Sequence, residues 1–209
     1  MFQAVDITIR GVEGNGLIVH NGLMADPTNQ YSLEIKKISA KGKKTEEDHE
    51  AMARLEWEGG LYLEKGQIVI PSDCIEAMFV EGAKKLKLGK VFKAFLLCQS
   101  SFPLLYPGPT DLDQLYAHEQ GRHQYRRIVR VGQARVLRTR PFFPEWSLEF
   151  QVFVDTEFLE LDQVEQVLNI AASQTGFCER RPKHGRFDIE RFDAGEAGKK
   201  AKKKEAVTA

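Results

Sequence analysis

The order of hydrophobic patterns in this chain predicts an α+β fold, with four antiparallel strands beneath two helices and two large insertions. Three observations carry that expectation. Two segments have the apolar spacing of amphipathic helices, and four segments with alternation or β-branched and aromatic enrichment flank them. Read along the chain, these elements come as strand, helix, strand, strand, helix, strand. That order is the ferredoxin-like (RRM-like) split βαβ arrangement.

The first strand is VDITIRGV, residues 5–12. An insertion over 13–66 follows and contains a charged helix, TEEDHEAMARLEWEG. Pro71 stops the next extended run, Ser72 or Asp73 is placed to cap a helix, and Glu76 stands three after Asp73 as in a capping box. Ile75, Met78, Phe79, Gly82, Ala83 and Leu86 then form one apolar face, which ends near Gly89. The second strand is VFKAFLLC, residues 91–98, and a second insertion covers 99–144. WSLEFQVFV is the third strand, with Trp146 read as core. In LDQVEQVLNIAASQTG, Asp162 is the expected cap, Val164, Val167, Leu168, Ala171 and Thr175 share a face, and Gly176 closes the helix. RFDIERF is the fourth strand. The reading is one domain over 1–193, its core at about 5–12, 72–98 and 146–192, followed by a disordered basic tail over 194–209.

Composition narrows the functional classes. The apolar fraction of 42% is that of a globular protein. Met1-Phe2-Gln3 leads into an alternating pattern with no basic-then-apolar leader, and no run approaches the roughly 18 apolar residues of a membrane span, so a cytoplasmic protein without membrane contact is expected. Cys74, Cys98 and Cys178 stand far apart with no CxxC, which predicts reduced structural thiols and neither a metal site nor a cofactor.

Net charge is zero, from 30 basic and 30 acidic residues. The zero hides segregation. Residues 120–144, QGRHQYRRIVRVGQARVLRTRPFFP, hold seven arginines (Arg122, Arg126, Arg127, Arg130, Arg135, Arg138 and Arg140) and no acid. Arginine suits bidentate phosphate contact and base stacking. Further basic clusters lie at Lys36 to Lys44 and Lys199 to Lys204. A last cluster is the stretch GFCERRPKHGRFDI, where a connector between helix and strand carries two glycines with Arg180, Arg181, Lys183, His184 and Arg186. A turn needs the glycines but not the cations.

Residues at both helix junctions resemble a known family. DITIRGV, IVIPSDCIEAMFVEGAKK and TGFCERRPKHGRFDI resemble the RAMP superfamily of CRISPR systems, and most closely the backbone subunits of type III effector complexes. Ile70, Pro71 and Ser72 match that family's helix-opening "IPGSSLKGALR", and Gly176, Arg181, Gly185, Arg186 and Phe187 match its late loop "GGxxSRGYGRV". Here the glycine after Pro71 is missing, the basic residue is delayed to Lys84, and the doubled glycine is single. The resemblance implies a subunit of an antiviral ribonucleoprotein that grips single-stranded guide RNA and polymerises along it with neighbouring copies and other effector-complex subunits. It implies RNA contacts from the helix opening and late loop, through Ser72, Lys84, Arg180, Arg181, Lys183, His184 and Arg186, to which the basic segment adds Arg126, Arg127, Arg130, Arg135, Arg138 and Arg140 as expected contacts. It also places Asp26 where such subunits carry an aspartate that supports metal-assisted RNA cleavage, although Asp-Pro is equally an ordinary turn.

Two other functions fit the same pattern: a phage or mobile-element single-stranded DNA-binding or annealing protein, and a metal-dependent ribonuclease using Asp26. The enzyme reading has less behind it, because no carboxylate cluster or close histidine pair accompanies Asp26. His20 reads as a surface hydrogen-bonding residue. Phe142, Phe143, Phe102, Tyr106 and Tyr125 are candidates for base stacking.

Overall fold

The computed structural model describes residues 1–195. Residues 196–209 lie outside the described residues, and with them Lys199 to Lys204 and nearly all of the expected tail. Ala194, assigned to that tail from sequence, is tied to the sheet through its carbonyl, which accepts from Gln3 Nε2 at 2.5 Å.

The chain is a mixed α+β protein whose strand pairs are all antiparallel. In chain order the elements are β1 (Phe2–Gly11), β2 (Leu17–Ile18), α1 (Gln30–Ser39), α2 (Glu46–Gly59), β3 (Leu63–Glu64), β4 (Gln67–Ile70), α3 (Ser72–Lys84), α4 (Gly89–Phe95), β5 (Leu96–Leu97) and β6 (Phe102–Leu105). There follow α5 (Leu112–Ala117), β7 (Gln124–Val131), β8 (Ala134–Phe143), β9 (Ser147–Asp155), α6 (Leu161–Ile170) and β10 (Phe187–Asp193). The main sheet runs β10-β1-β9-β6-β4-β3, with β5 also pairing β9, and a separate sheet runs β2-β8-β7.

Alternation dictates how β1 and β9 face. Val5, Ile7 and Ile9, with Leu148, Phe150, Val152 and Val154, turn inward and are buried. α3 buries Ile75, Met78, Phe79, Gly82 and Ala83, the face read from its spacing, and α6 buries Val164, Val167 and Leu168. These residues meet in one core, where Phe79 stacks on Phe92 (6.4 Å) and meets Phe150 edge-on (6.5 Å). The opposite face of the sheet presents Asp6, Thr8, Glu149, Gln151 and Arg191.

Several local expectations are corrected. VFKAFLLC is not a strand throughout: Gly89–Phe95 is helical and only Leu96–Leu97 pairs in the sheet. Phe92 and Phe95 serve the helix better, because one packs on Phe79 and the other stacks on Phe158 at 4.3 Å. α3 begins after Pro71 with no side-chain cap, and Glu76 instead accepts the Cys98 amide (2.8 Å), fastening the helix to the end of β5. It ends at Lys84, and Gly89 opens α4. At α6 the capping box is Glu160 with Gln163, not Asp162 with Glu165.

The insertions are not peripheral. The charged helix read in this insertion forms as α2, opened by a capping box of Thr45 and Asp48 that was not singled out from sequence, while β3, β4 and β6 extend the main sheet. The arginine-rich segment becomes the β7–β8 hairpin. α2 packs on β8, where the buried Glu56 carboxylate accepts the Thr139 amide (2.9 Å) and pairs with Arg138.

Candidate nucleic-acid interface

Register on the hairpin sorts the arginines before any contact is considered. Tyr125 pairs with Arg140, Arg127 with Arg138, Arg126 with Thr139 and Arg130 with Arg135. Directly opposed residues share a face and successive ones alternate. One face therefore carries Tyr125, Arg127, Arg138, Arg140 and Phe142; the other carries Arg126, Ile128, Arg130, Arg135, Leu137 and Thr139.

The late loop, residues 176–186, lies against the first of these faces. Its backbone is pinned by Phe177 N to Gly185 O (2.8 Å), Glu179 N to Ile18 O (3.0 Å) and Gly185 N to Gly16 O (3.2 Å). Asn15 clamps it from the side, donating from Nδ2 to Lys183 O (2.7 Å) and accepting the Arg186 amide at Oδ1 (2.7 Å). The His184 ring then stands 5.2 Å from Tyr125 and 6.0 Å from Phe142, and the Arg180 guanidinium lies 5.5 Å above the Tyr125 ring. Two segments separated by some forty residues in sequence thus build one surface. A groove of about 890 Å³, lined by Gly14, Gly16, Tyr106, Phe142 and Trp146 among others, continues from it past the end of β8.

Charge pairing divides the cations. Arg122 is shared between Glu119 (2.7 Å) and Glu145 (2.6 Å), Arg126 forks onto Glu50 (2.9 Å from Nη1) and Tyr116 (2.9 Å), and Arg138 is held by Glu56. Those three are neutralised within the fold. Arg127 donates only to the Tyr125 hydroxyl (3.2 Å), Arg130 donates to Gly132 O of its own turn (3.0 Å), and Arg135 and Arg140 have no carboxylate in salt-bridge contact among the described residues. Arg140 is half-buried beside His20, and burial pulls its pKa down. His20 Nδ1 and both ring nitrogens of His184 are buried without a hydrogen-bond partner. The hairpin face and the loop thus bring cations without carboxylate partners beside the Tyr125 and Phe142 rings.

The other sequence-selected residues divide. Arg181 lies toward α3, where its charge is felt by Cys74 in the first turn and Glu81 in the third. Arg186 is exposed and donates to Pro182 O (3.1 Å), at the loop's far edge. Ser72 opens α3 near the loop, whereas Lys84 is in the helix's last turn and paired with Glu81, about 18 Å along the axis. Lys84 is therefore neutralised within the fold. Arg130 and Arg135 are at the hairpin tip on the opposite face. Asp26 is exposed, and its Oδ1 accepts both the amide (2.8 Å) and hydroxyl (2.7 Å) of Thr28, which hold its pKa below the usual carboxylate range. That is a turn; no group of three or more His, Cys, Asp and Glu side chains able to hold a metal exists among the described residues. Phe143 and Trp146 are buried core, so neither stacks on a base. Asn15 and Gly16 were not singled out from sequence. The Gly-Asn-Gly run at 14–16 marks a turn, but only the fold shows that it clamps the loop.

No protein-family model matches the chain, and no curated protein matches it at a significant level. No helix among the described residues is long and apolar enough to cross a membrane.

Burial lowers the pKa of His20, His123 and His184, with Lys183, Arg180 and Arg127 adding to the effect at His184. The unfolded chain then binds protons that the folded chain refuses. Stability is complete above the ordinary histidine value of 6.5 and falls as pH drops below it. The melting temperature is expected to decline between about pH 6.5 and 5.5, before carboxylates titrate, and to decline less steeply in His184→Gln. Parallel profiles would remove His184 from that account.

Proposed function

We propose that this protein is a cytoplasmic single-stranded RNA-binding subunit that tracks the sugar-phosphate backbone and assembles with neighbouring copies along the strand. The observation that carries the reading is the convergence of unpaired Arg127, Arg140 and Arg180 on a surface that also holds Tyr125, Phe142 and His184. Phosphate contacts position without reading sequence, and stacked rings accept any base.

The ferredoxin-like part of the reading is supported by the order β10-β1-β9, by the pairing of β5 with β9 at the end of the expected second core strand, and by α3 and α6 packed in the same core. Membership of the RAMP superfamily, and a place in a guide-RNA effector complex, rest on the residues matched at Ile70 to Ser72 and Gly176 to Phe187. Self-assembly is suggested by charge: acidic Glu46 and Glu47 open α2, and zero net charge leaves one copy little long-range attraction for a polyanion.

The test is to titrate the protein against ribo- and deoxyribo-oligonucleotides of increasing length by mass photometry. Copy number is expected to rise in steps with RNA length. Equal stepping on DNA would turn the reading toward a single-strand DNA binder, and one copy at every length would dispose of the assembly.

A further inference from the structure

Two cysteines more than a hundred positions apart in sequence meet at the base of the loop. Cys74, in the first turn of α3, and Cys178, in the loop, are in side-chain hydrogen-bond contact, with the Tyr62 hydroxyl 3.9 Å from Cys74 Sγ. Sequence spacing predicts three isolated structural thiols; the fold makes two of them a pair. Cys178 is at φ 57°, between the two backbone hydrogen bonds that tie Phe177 to Gly185 and Glu179 to Ile18. Its position is thus set by the scaffold on both sides. Cys98 is elsewhere, buried, with its thiol directed at the carbonyls of Ser100 and Gln151 (3.7 Å each).

We propose that Cys74 and Cys178 form a reversible intramolecular disulfide, a redox modification site that fastens the loop to the first turn of α3. The oxidant is a hydroperoxide. The Cys74 thiolate attacks one peroxide oxygen, the S–O bond forms as the O–O bond breaks, and the departing hydroxide or alkoxide takes up a proton to leave as water from hydrogen peroxide or as the alcohol from an organic hydroperoxide. The Cys178 sulfur then attacks the resulting sulfenic acid, the S–S bond forms as the S–O bond breaks, and hydroxide leaves with the Cys178 proton as water. Two thiols lose two electrons and the hydroperoxide gains them.

The order of attack follows from the surroundings. Hydrogen bonding with Cys178 and with Tyr62, whose hydroxyl oxygen accepts from Cys74 Sγ, and the Arg181 charge together outweigh burial and Asp73 and lower the Cys74 pKa to about 7. Cys178, its partner in that contact, is pushed up by Cys74 and by burial. Burial and Glu76 push Cys98 up to about 11, which leaves it unreactive.

The wild-type chain should be treated with stoichiometric hydrogen peroxide, alkylated and mapped by mass spectrometry without reductant. The expected product is a peptide pair linked through Cys74 and Cys178, with Cys98 alkylated as before and the link reversed by dithiothreitol. Unlinked, fully alkylatable thiols, oxidation at Cys98, or links between chains would each overturn the proposal. Cys178→Ser is expected to trap Cys74 as a sulfenic acid that dimedone labels, while Cys74→Ser leaves Cys178 unlabelled; the reverse pattern would refute the assigned order. Amides of residues 176–186 should exchange more slowly with deuterium after oxidation, and unchanged exchange would refute the fastening. No readout uses nucleic acid, so failure here leaves the binding reading intact.

Discussion

Replacing Arg127, Arg140 and Arg180 together by glutamine is expected to reduce the slope of log affinity against log salt by roughly 2, at about 0.7 per phosphate contact on a single strand. The expectation depends on pairing, not on the number of arginines. Arg127 and Arg180 face Tyr125, Arg140 lies opposite it on the hairpin, and none of the three is spent on a carboxylate. Their charge is free to displace counterions. Arg122 and Arg126 belong to the same acid-free stretch, yet Glu119, Glu145 and Glu50 already hold them. Glutamine at those two positions should leave the slope unchanged. Salt titrations of the two variants against one oligonucleotide, with circular dichroism to confirm folding, separate the cases. Equal slopes in both variants would show that the hairpin and loop do not form the contact surface.

Gly185→Ala is expected to cost about 2–4 kcal/mol of stability, the range of a strained backbone combined with a backbone clash. Gly185 has φ +76°, and a methyl group there would meet the Phe177 carbonyl oxygen and amide nitrogen. Those are backbone atoms and cannot rotate away. The residue also closes the loop, since its carbonyl accepts Phe177 N and its amide donates to Gly16 O. A loss of roughly 4–16 °C in melting temperature follows for a domain of this size. Gly22→Ala is the matched control, because its site is open and its φ is not left-handed; its melting temperature should not move. If Gly185→Ala melts like the wild type, the loop is not built around that close approach.

The class of fold was legible in the sequence because its strongest signals are local. The apolar face of α3, the alternation of β1 and β9, and the charged helix pattern of α2 each arise within some fifteen residues, and each forms as its pattern predicts. The basic character of residues 122–140 and 180–186 was equally plain. Where the local signal was ambiguous, tertiary packing decided: Phe92 and Phe95 suit a strand or a helical turn, and the partners Phe79 and Phe158 select the helix.

The site itself belongs to the tertiary structure. Seven arginines in one acid-free run look equivalent in one dimension, but their partners come from other elements: Glu50 and Glu56 from α2, Glu119 and Glu145 from the segments flanking the hairpin. Only folding shows which cations are neutralised and which remain for a ligand. In the same way, no spacing rule joins Cys74 to Cys178 or Asn15 to Lys183. Sequence by itself determined which surfaces are charged and which faces are buried, since both follow from residue type and period. Tertiary structure alone decided which charges stay unpaired and which thiols touch, because Coulomb interactions and bond-forming contacts depend on distance in space, and the chain brings its distant segments together only when the core closes.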